Sequence, residues 1–132
     1  MPSISVTGVV QTKGLFFIAQ RKPGGSLSLK WEFPGGKVDE NESSTQALIR
    51  EFQEELDVPV VVGDLFYTGA FKNNGKEYSS EAYFVSMEST SVFLKEHLAY
   101  RWCTLIEIAE LDLADSDRMI VDHLIKLQSP KV

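Results

Sequence analysis

The chain has 132 residues, with 13 Lys and Arg against 19 Asp and Glu, a net charge of −6, 43% hydrophobic and 24% charged residues. These values are typical of one globular domain, here predicted over residues 1–132, and they exclude a disordered chain or a disulfide scaffold. The acidic balance disfavours a stable nucleic-acid complex. A single cysteine, no signal-peptide pattern and no apolar run of about 20 residues predict a cytoplasmic protein without a membrane span.

The N-terminal part of the sequence predicts strands followed by a glycine-rich turn. Two β-rich runs within residues 3–21 flank Lys13-Gly14, which indicates a hairpin. Residues 22–30 (KPGGSLSLK) predict a surface loop. The following stretch, residues 31–36 (WEFPGG), predicts a turn whose backbone can approach a ligand closely.

The first predicted helix spans residues 43–56. Ser43 is the expected N-cap, and Gln46, three residues later, completes a capping box. The sequence therefore specifies the start of this helix well.

The remaining residues alternate strand and helix signals. Residues 58–85 predict a hairpin that turns near Asn74-Gly75, and a short strand follows at 99–103. Helices are expected near 105–111 and 116–128. Strand pairs and helices that do not alternate regularly predict an α+β fold with helices packed on a mixed sheet.

The first helix carries the stretch REFQEE near its C-terminal end. On a helical wheel Glu51, Glu54 and Glu55 share an arc of about 100°. This arc borders the apolar stripe predicted for Leu48, Ile49, Phe52 and Leu56. The helix dipole disfavours each acid there by about 0.3–1 kcal/mol. Either the acids form a solvated charged face, or they line a crevice and bind a hard divalent cation such as Mg²⁺ or Mn²⁺.

Eight residues between positions 36 and 58 follow a fixed spacing. They are Gly36, Glu42, Arg50, Glu51, Phe52, Glu54, Glu55 and Val58. This pattern resembles the Nudix box, except that Asp57 stands where the family has glycine. Asp is one of the few residues that tolerate the positive φ expected at this helix end.

The segments WEFPGGKV at 31–38 and AQR at 19–21, together with the chain length, are similar to the MutT branch of small nucleoside triphosphate pyrophosphohydrolases. The resemblance implies an α/β/α Nudix sandwich. It also implies Mg²⁺-dependent hydrolysis of a nucleoside triphosphate to the monophosphate and pyrophosphate. An oxidised guanine nucleotide is the substrate of the MutT branch, and a cytidine nucleotide is favoured if Asp117 stands where that branch has an asparagine that contacts the base.

The resemblance implies metal ligands as well. Glu51, Glu54 and Glu55 would bind Mg²⁺, with Mn²⁺ as a substitute, and a backbone carbonyl of the Gly35-Gly36 turn would be a further ligand. Glu96, in the loop before the strand that ends near Trp102, would join them. Glu51 is the preferred general base, and Glu96 is the alternative.

The remaining implied roles concern orientation and substrate. Arg50 would orient the box carboxylates together with Glu42. Residues expected at the substrate are Arg21, Lys37 and Glu32, with Asp117, or alternatively Asp115, at the base. If Asp117 is ionised it only accepts hydrogen bonds, which suits the amino group of cytosine or the N–H groups of guanine. Both aspartates could instead be helix N-caps.

Other interpretations stay open. Lys72-Asn73 occupies the place of the proline of ADP-ribose enzymes, and Asn74-Gly75 that of the tyrosine of dinucleoside polyphosphate enzymes, although Tyr78 lies near. An RNA cap hydrolase and a non-catalytic nucleotide-binding module are further alternatives. His97 and His123 are expected in surface or packing roles. The protein is expected to be a monomer or a homodimer.

Overall fold

The computed structural model describes residues 3–128 as eight strands and three helices. Their bounds are β1 Ser3–Val9, β2 Gln11–Thr12, β3 Leu15–Arg21, β4 Trp31–Glu32, β5 Gly35–Lys37, α1 Ser44–Leu56, β6 Val60–Asn73, β7 Lys76–Met87, β8 His97–Cys103, α2 Leu105–Ala109 and α3 Asp115–Gln128. Within these residues no helix is both long and apolar enough to cross a membrane.

The strands form two sheets. In the first, the order is β5-β1-β7-β6; β1 and β7 run parallel, whereas β1–β5 and β6–β7 are antiparallel. In the second, β3 pairs with β2, β4 and β8, all antiparallel. The first sheet is therefore mixed, as the sequence predicted.

Strand β3 explains how the helices are placed. Its apolar run is almost continuous because both of its faces are buried. Phe16 and Ile18 belong to the hydrophobic core that includes residues of α2 and α3, whereas Phe17 and Ala19 belong to the core that includes α1. Successive side chains of a strand point to opposite faces, so the helices lie on both sides of the strand layer.

Helix α1 begins as predicted and ends at a residue in the left-handed conformation. The Ser43 hydroxyl accepts from the Gln46 N–H at 3.1 Å, and the Gln46 side chain accepts from the Ser43 N–H at 2.8 Å. Asp57 caps the other end with φ 53°. The predicted stripe is right for Leu48, Phe52 and Leu56 but wrong for Ile49, which is 44% exposed.

The predicted hairpin around Asn74-Gly75 and the α+β class are confirmed, and the predicted helices are present within a few residues of their expected bounds. Around Lys13-Gly14 only β2 and β3 form a hairpin, because β1 pairs with β5 and β7 in the other sheet. Residues 31–36 were predicted as a turn, but they also form β4 and the first two residues of β5. These strands have two and three residues, so pairing with β3 and β1 rather than local sequence creates them.

Candidate active site

Three adjacent strands of the second sheet bring charged side chains together. Arg21 ends β3, Glu32 ends β4, and His97 begins β8 next to Arg21, beyond an irregularity in the strand pairing. Arg21 Nη1 lies 3.3 Å from Glu32 Oε1, and His97 Nε2 lies 2.9 Å from Glu32 Oε2. Both oxygens of Glu32 are thus engaged by neighbouring strands.

Arg50 connects the outer acids of α1. Its Nε and Nη2 donate to both oxygens of Glu42 at 2.8 and 2.9 Å, and its Nη1 lies 2.8 Å from Glu51 and 3.2 Å from Glu54. Its Nη2 also donates to the Lys37 carbonyl at 2.9 Å. The bond to Arg50 lowers the pKa of Glu42 to about 2. These contacts agree with an orienting role for Arg50.

Glu55 differs from the other acids because it is buried. It is 3% exposed, and its Oε2 has no hydrogen-bond partner anywhere in the described residues. Burial first, then the neighbouring carboxylates of Glu51, Glu32 and Glu96, raise the pKa of Glu55 to about 11. Without a cation this side chain is therefore protonated at neutral pH.

The glycine turn lies directly against α1 and β1. A Cβ at Gly36 would lie 2.5–2.7 Å from the carboxylate atoms of Glu51, and a Cβ at Gly35 would lie 2.0 Å from the Val6 carbonyl oxygen. Only glycine allows this approach. Consequently, the backbone of the turn lies in close contact with the carboxylate of Glu51.

Two neighbouring cavities open at this place. The first, of about 260 Å³, is lined by Arg21, Lys22, Pro23, Gly24, Glu32, Gly35, Glu51, Glu55, Glu96 and His97. The second, of about 240 Å³, is lined by Ser5, Val6, Thr7, Arg21, Leu27, Glu32, Phe33, Gly35, Gly36, Lys37, Phe71, Asn73, Tyr78, Ser116 and Asp117. Arg21, Glu32 and Gly35 line both cavities, so the cavities adjoin.

The first cavity holds most of the carboxylates and the second is mixed in character. Glu96 reaches the first cavity because the segment before it lies beside the C-terminal end of α1. There the Lys95 N–H donates to the Glu55 carbonyl at 3.0 Å. Glu54 is half exposed and lines neither cavity. In the second cavity the rings of Phe71 and Tyr78 stack at 5.1 Å.

Asp117 lies in the first turn of α3, with its side chain buried and 6% exposed. Its Oδ1 accepts from the Phe33 N–H at 3.0 Å. Burial, and next the nearby Glu32, raise the pKa of Asp117 well above its usual range. A raised pKa favours the protonated acid, which can donate as well as accept, whereas the ionised carboxylate only accepts. Asp115 is exposed and lines neither cavity.

Sequence reasoning missed the position of His97. It was expected on the surface or in packing, yet it is 4% exposed and lies between Glu32 and Glu55. The available signal was its place beside Glu96 at the start of a strand. His123, in contrast, packs on Tyr67 and contacts the Phe66 carbonyl through Nε2 at 3.1 Å.

The residues fit a hard divalent cation. Atoms of Glu32, Glu55 and His97 that could bind a metal lie within 4.8 Å of one another, and Glu51 lies beside Glu55. The unpartnered, buried Oε2 of Glu55 is an oxygen that such a cation would complete. The donor set is mainly carboxylate oxygen, which Mg²⁺ and Mn²⁺ prefer.

The fold and this acidic cluster together are those of a Nudix domain. The sequence matches the NUDIX domain over residues 1–124, and the chain belongs to this family. The CTP pyrophosphohydrolase of Escherichia coli (strain K12) is 29% identical over 126 residues, 96% of this chain and 93% of that protein. The putative 8-oxo-dGTP diphosphatase 2 of Mycobacterium tuberculosis (strain ATCC 25618 / H37Rv) is 32% identical over 118 residues, 87% of this chain and 82% of that protein.

Solved structures agree with this assignment. The crystal structure of the MutT protein from Methanosarcina mazei Go1 has a TM-score of 0.85 and 27% identity, and the match covers 97% of each chain. The Nudix resemblance, its MutT-like character and the Nudix α+β sandwich predicted from the sequence are confirmed.

Proposed function

We propose that this protein is a MutT-like nucleoside triphosphate pyrophosphohydrolase that releases a nucleoside monophosphate and pyrophosphate. The observation that carries the proposal is the pair of adjoining cavities, one acidic and one mixed, that share Arg21, Glu32 and Gly35. A nucleotide has the same two parts, a polyanionic phosphate chain and an aromatic base. The phosphates would occupy the first cavity and the base the second.

The acids of α1 would hold Mg²⁺, or Mn²⁺ in its place. We assign Glu51, Glu54 and Glu55 as ligands, together with a carbonyl of the Gly35-Gly36 turn and Glu96. When bound, the ion would neutralise phosphate charge and lower the pKa of a coordinated water. Arg50 supports the assignment because it fixes Glu51 and Glu54 from outside.

The chain's own residues would orient the substrate and accept the proton of the attacking water. Arg21 lies at the junction of the cavities and would contact a phosphate, and Lys37 lines the second cavity from the turn. Glu51 is the proposed general base because it lines the first cavity beside the turn. Glu96 lines the same cavity and is the alternative base.

The base would be read in the second cavity. Asp117 lines this cavity, and in its protonated form it presents one donor and one acceptor. Such a pair complements the N3 and amino group of cytosine, and equally the carbonyl and N1–H of guanine. The relatives named for CTP and for 8-oxo-dGTP support both substrate classes. We therefore propose a cytidine or an oxidised guanine triphosphate.

The test is a screen of pyrophosphate release from CTP, dCTP, 5-modified dCTP, 8-oxo-dGTP and the unmodified triphosphates, with Mg²⁺, Mn²⁺ or EDTA. Glu51→Gln should lose at least 100-fold in kcat/KM, because it removes one charged oxygen donor and the proposed base. Glu88→Gln, the same change at an exposed position that lines neither cavity, should leave the activity unchanged.

Full activity of Glu51→Gln would refute the site assignment. A protein that binds these triphosphates but releases no pyrophosphate would instead be the non-catalytic module. Activity confined to ADP-ribose, dinucleoside polyphosphates or capped RNA would replace the proposed substrate class. The cytoplasmic location and the monomeric or homodimeric state stay predictions; gel filtration with light scattering measures the latter.

A further inference from the structure

His97 occupies a position in the acidic cluster that the metal ligands assigned above do not explain. Its side chain is 3% exposed, and Nε2 lies 2.9 Å from Glu32 Oε2 and 3.7 Å from Glu55 Oε1. Its other ring nitrogen, Nδ1, is buried and has no hydrogen-bond partner within residues 3–128. Nε2 thus lies near two acids, whereas Nδ1 has no hydrogen-bond partner among the described residues.

The surroundings decide between two roles, a direct metal ligand and a hydrogen-bond donor. A histidine that binds a metal through Nε2 carries its proton on Nδ1 and almost always donates that proton to an acceptor. Here Nδ1 has no acceptor, so this tautomer would bury an unpaired N–H. The tautomer with the proton on Nε2 instead places its N–H on the carboxylate of Glu32, which accepts it.

We propose that His97 is a positioning residue of the metal site: its Nε2–H holds Glu32 beside Arg21 and keeps the carboxylates of Glu32 and Glu55 at a fixed separation. The inference rests on the proposed function for its catalytic meaning. A series of contacts thus runs from Arg21, the proposed phosphate contact, through Glu32 and His97 to Glu55, the proposed buried metal ligand.

These contacts also change the role expected for Glu32. Arg21 engages one of its oxygens and His97 the other, and its side chain is 15% exposed. With both oxygens occupied, Glu32 acts on the substrate through Arg21 rather than by direct contact. Loss of the His97 donor would leave two acids facing each other in a weakly screened place, and both would reorient.

The first test reads the tautomer directly. Two-bond ¹H–¹⁵N correlation spectra of the folded, EDTA-treated protein should show His97 protonated on Nε2, and this pattern should persist when Mg²⁺ or Zn²⁺ is added. A proton on Nδ1, or loss of the Nε2 proton when the metal binds, would overturn the proposal in favour of a direct ligand. His123 provides an internal reference in the same spectrum because it lies outside both cavities.

The second test uses three variants and measures Mn²⁺ affinity by electron paramagnetic resonance in the absence of substrate. His97→Leu should weaken Mn²⁺ binding by about 10- to 100-fold, the usual effect of removing a partner of a metal ligand. His97→Gln, whose amide can place an N–H at the position of Nε2, should stay within about threefold of wild type. His123→Leu is the matched control and should bind Mn²⁺ as wild type does.

Equal losses in the Leu and Gln variants, or no loss in either, would overturn the positioning role. Urea unfolding with EDTA verifies that each variant is folded before titration. Because both tests observe the protein without substrate, they separate this inference from the proposed function: wild-type Mn²⁺ binding with the expected variant pattern, but no pyrophosphate release, would refute the enzyme assignment and support the role of His97.

Discussion

Replacing Gly36 by alanine should damage the site without unfolding the protein. A Cβ at this position would lie 2.5 Å from Glu51 Cδ, whereas ordinary contact begins at 3.4 Å, so the carboxylate must move by about 0.9 Å. Arg50 Nη1, 2.8 Å from Glu51 Oε1, opposes that movement. The substitution therefore displaces a proposed ligand and base from the position in which Arg50 holds it.

The size of the effect follows from this displacement. Misplacing a catalytic group by about 1 Å can lower the rate about 100-fold. We expect Gly36→Ala to lose about 10- to 100-fold in kcat/KM, equivalent to about 1.4–2.7 kcal/mol of transition-state stabilisation. The loss of unfolding free energy should stay below about 1 kcal/mol because the end of a flexible side chain, not the backbone, gives way.

Gly8→Ala is the matched control. Its Cβ would lie 2.4 and 2.7 Å from ring atoms of Phe52, in the core beneath α1. Overpacking there should lower the unfolding free energy by about 1–3 kcal/mol while leaving kcat/KM of the folded protein near wild type. Pyrophosphate release and urea unfolding measure the two quantities. Wild-type kcat/KM in Gly36→Ala, or a loss of stability equal to that of Gly8→Ala, would refute the reasoning.

Three further predictions concern the helix ends and the second cavity. The folded pKa of Glu42 is lowered to about 2, so its charge stabilises the protein above about pH 4.5, and this contribution disappears as the pH falls towards 2. The difference in unfolding free energy between wild type and Glu42→Gln should therefore shrink between about pH 4.5 and 2. Asp57→Gly should stabilise the protein by about 0.5–1 kcal/mol in urea unfolding, because Asp57 has φ 53° and carries a negative charge at the C-terminus of α1. A glycine variant less stable than wild type would contradict this prediction. Asp117→Val should raise KM by about 10- to 100-fold and Asp117→Asn by less than tenfold, because asparagine keeps a donor and an acceptor. If steady-state assays show the same rise in KM for both variants, the ionised acid binds the base.

Much of the fold was predictable because its signals are local. The capping box at Ser43 and Gln46 fixes the start of α1, and Asn74-Gly75 fixes the turn between β6 and β7. Helical periodicity placed Phe52 in the core and the acids at its edge. Each of these features depends on residues within a few positions of one another, which a single sequence displays.

The inner part of the candidate site was not predictable because it depends on strand register. Arg21, Glu32 and His97 come from three strands separated by loops, and the pairing of Arg21 with His97 follows an irregularity after Gln20. No local pattern specifies that irregularity. The depth of Glu55 depends on the same strands, since the wheel placed it only at the border of the apolar stripe.

The three acids of α1 therefore have different neutralising partners, and this leads to a last prediction about Glu55. Arg50 compensates Glu51 and Glu54 but does not reach the buried carboxyl. Because burial raises the folded pKa of Glu55 from 4.5 to about 11, the metal-free protein binds a proton that the unfolded chain releases above about pH 4.5. Its contribution to stability is thus complete below about pH 4.5 and decreases as the pH rises towards 11.

Glu55→Gln, which cannot titrate, should remove this decrease. Chemical unfolding in EDTA between pH 5 and 9 should show the variant gaining stability relative to wild type as the pH rises. Added Mn²⁺ should reverse the order, because the cation replaces the proton on Glu55 of the wild type and the variant lacks the charged oxygen. A pH-independent difference between the two proteins in EDTA would show that Glu55 is already ionised without metal, and that the charges of α1 need no cation to coexist.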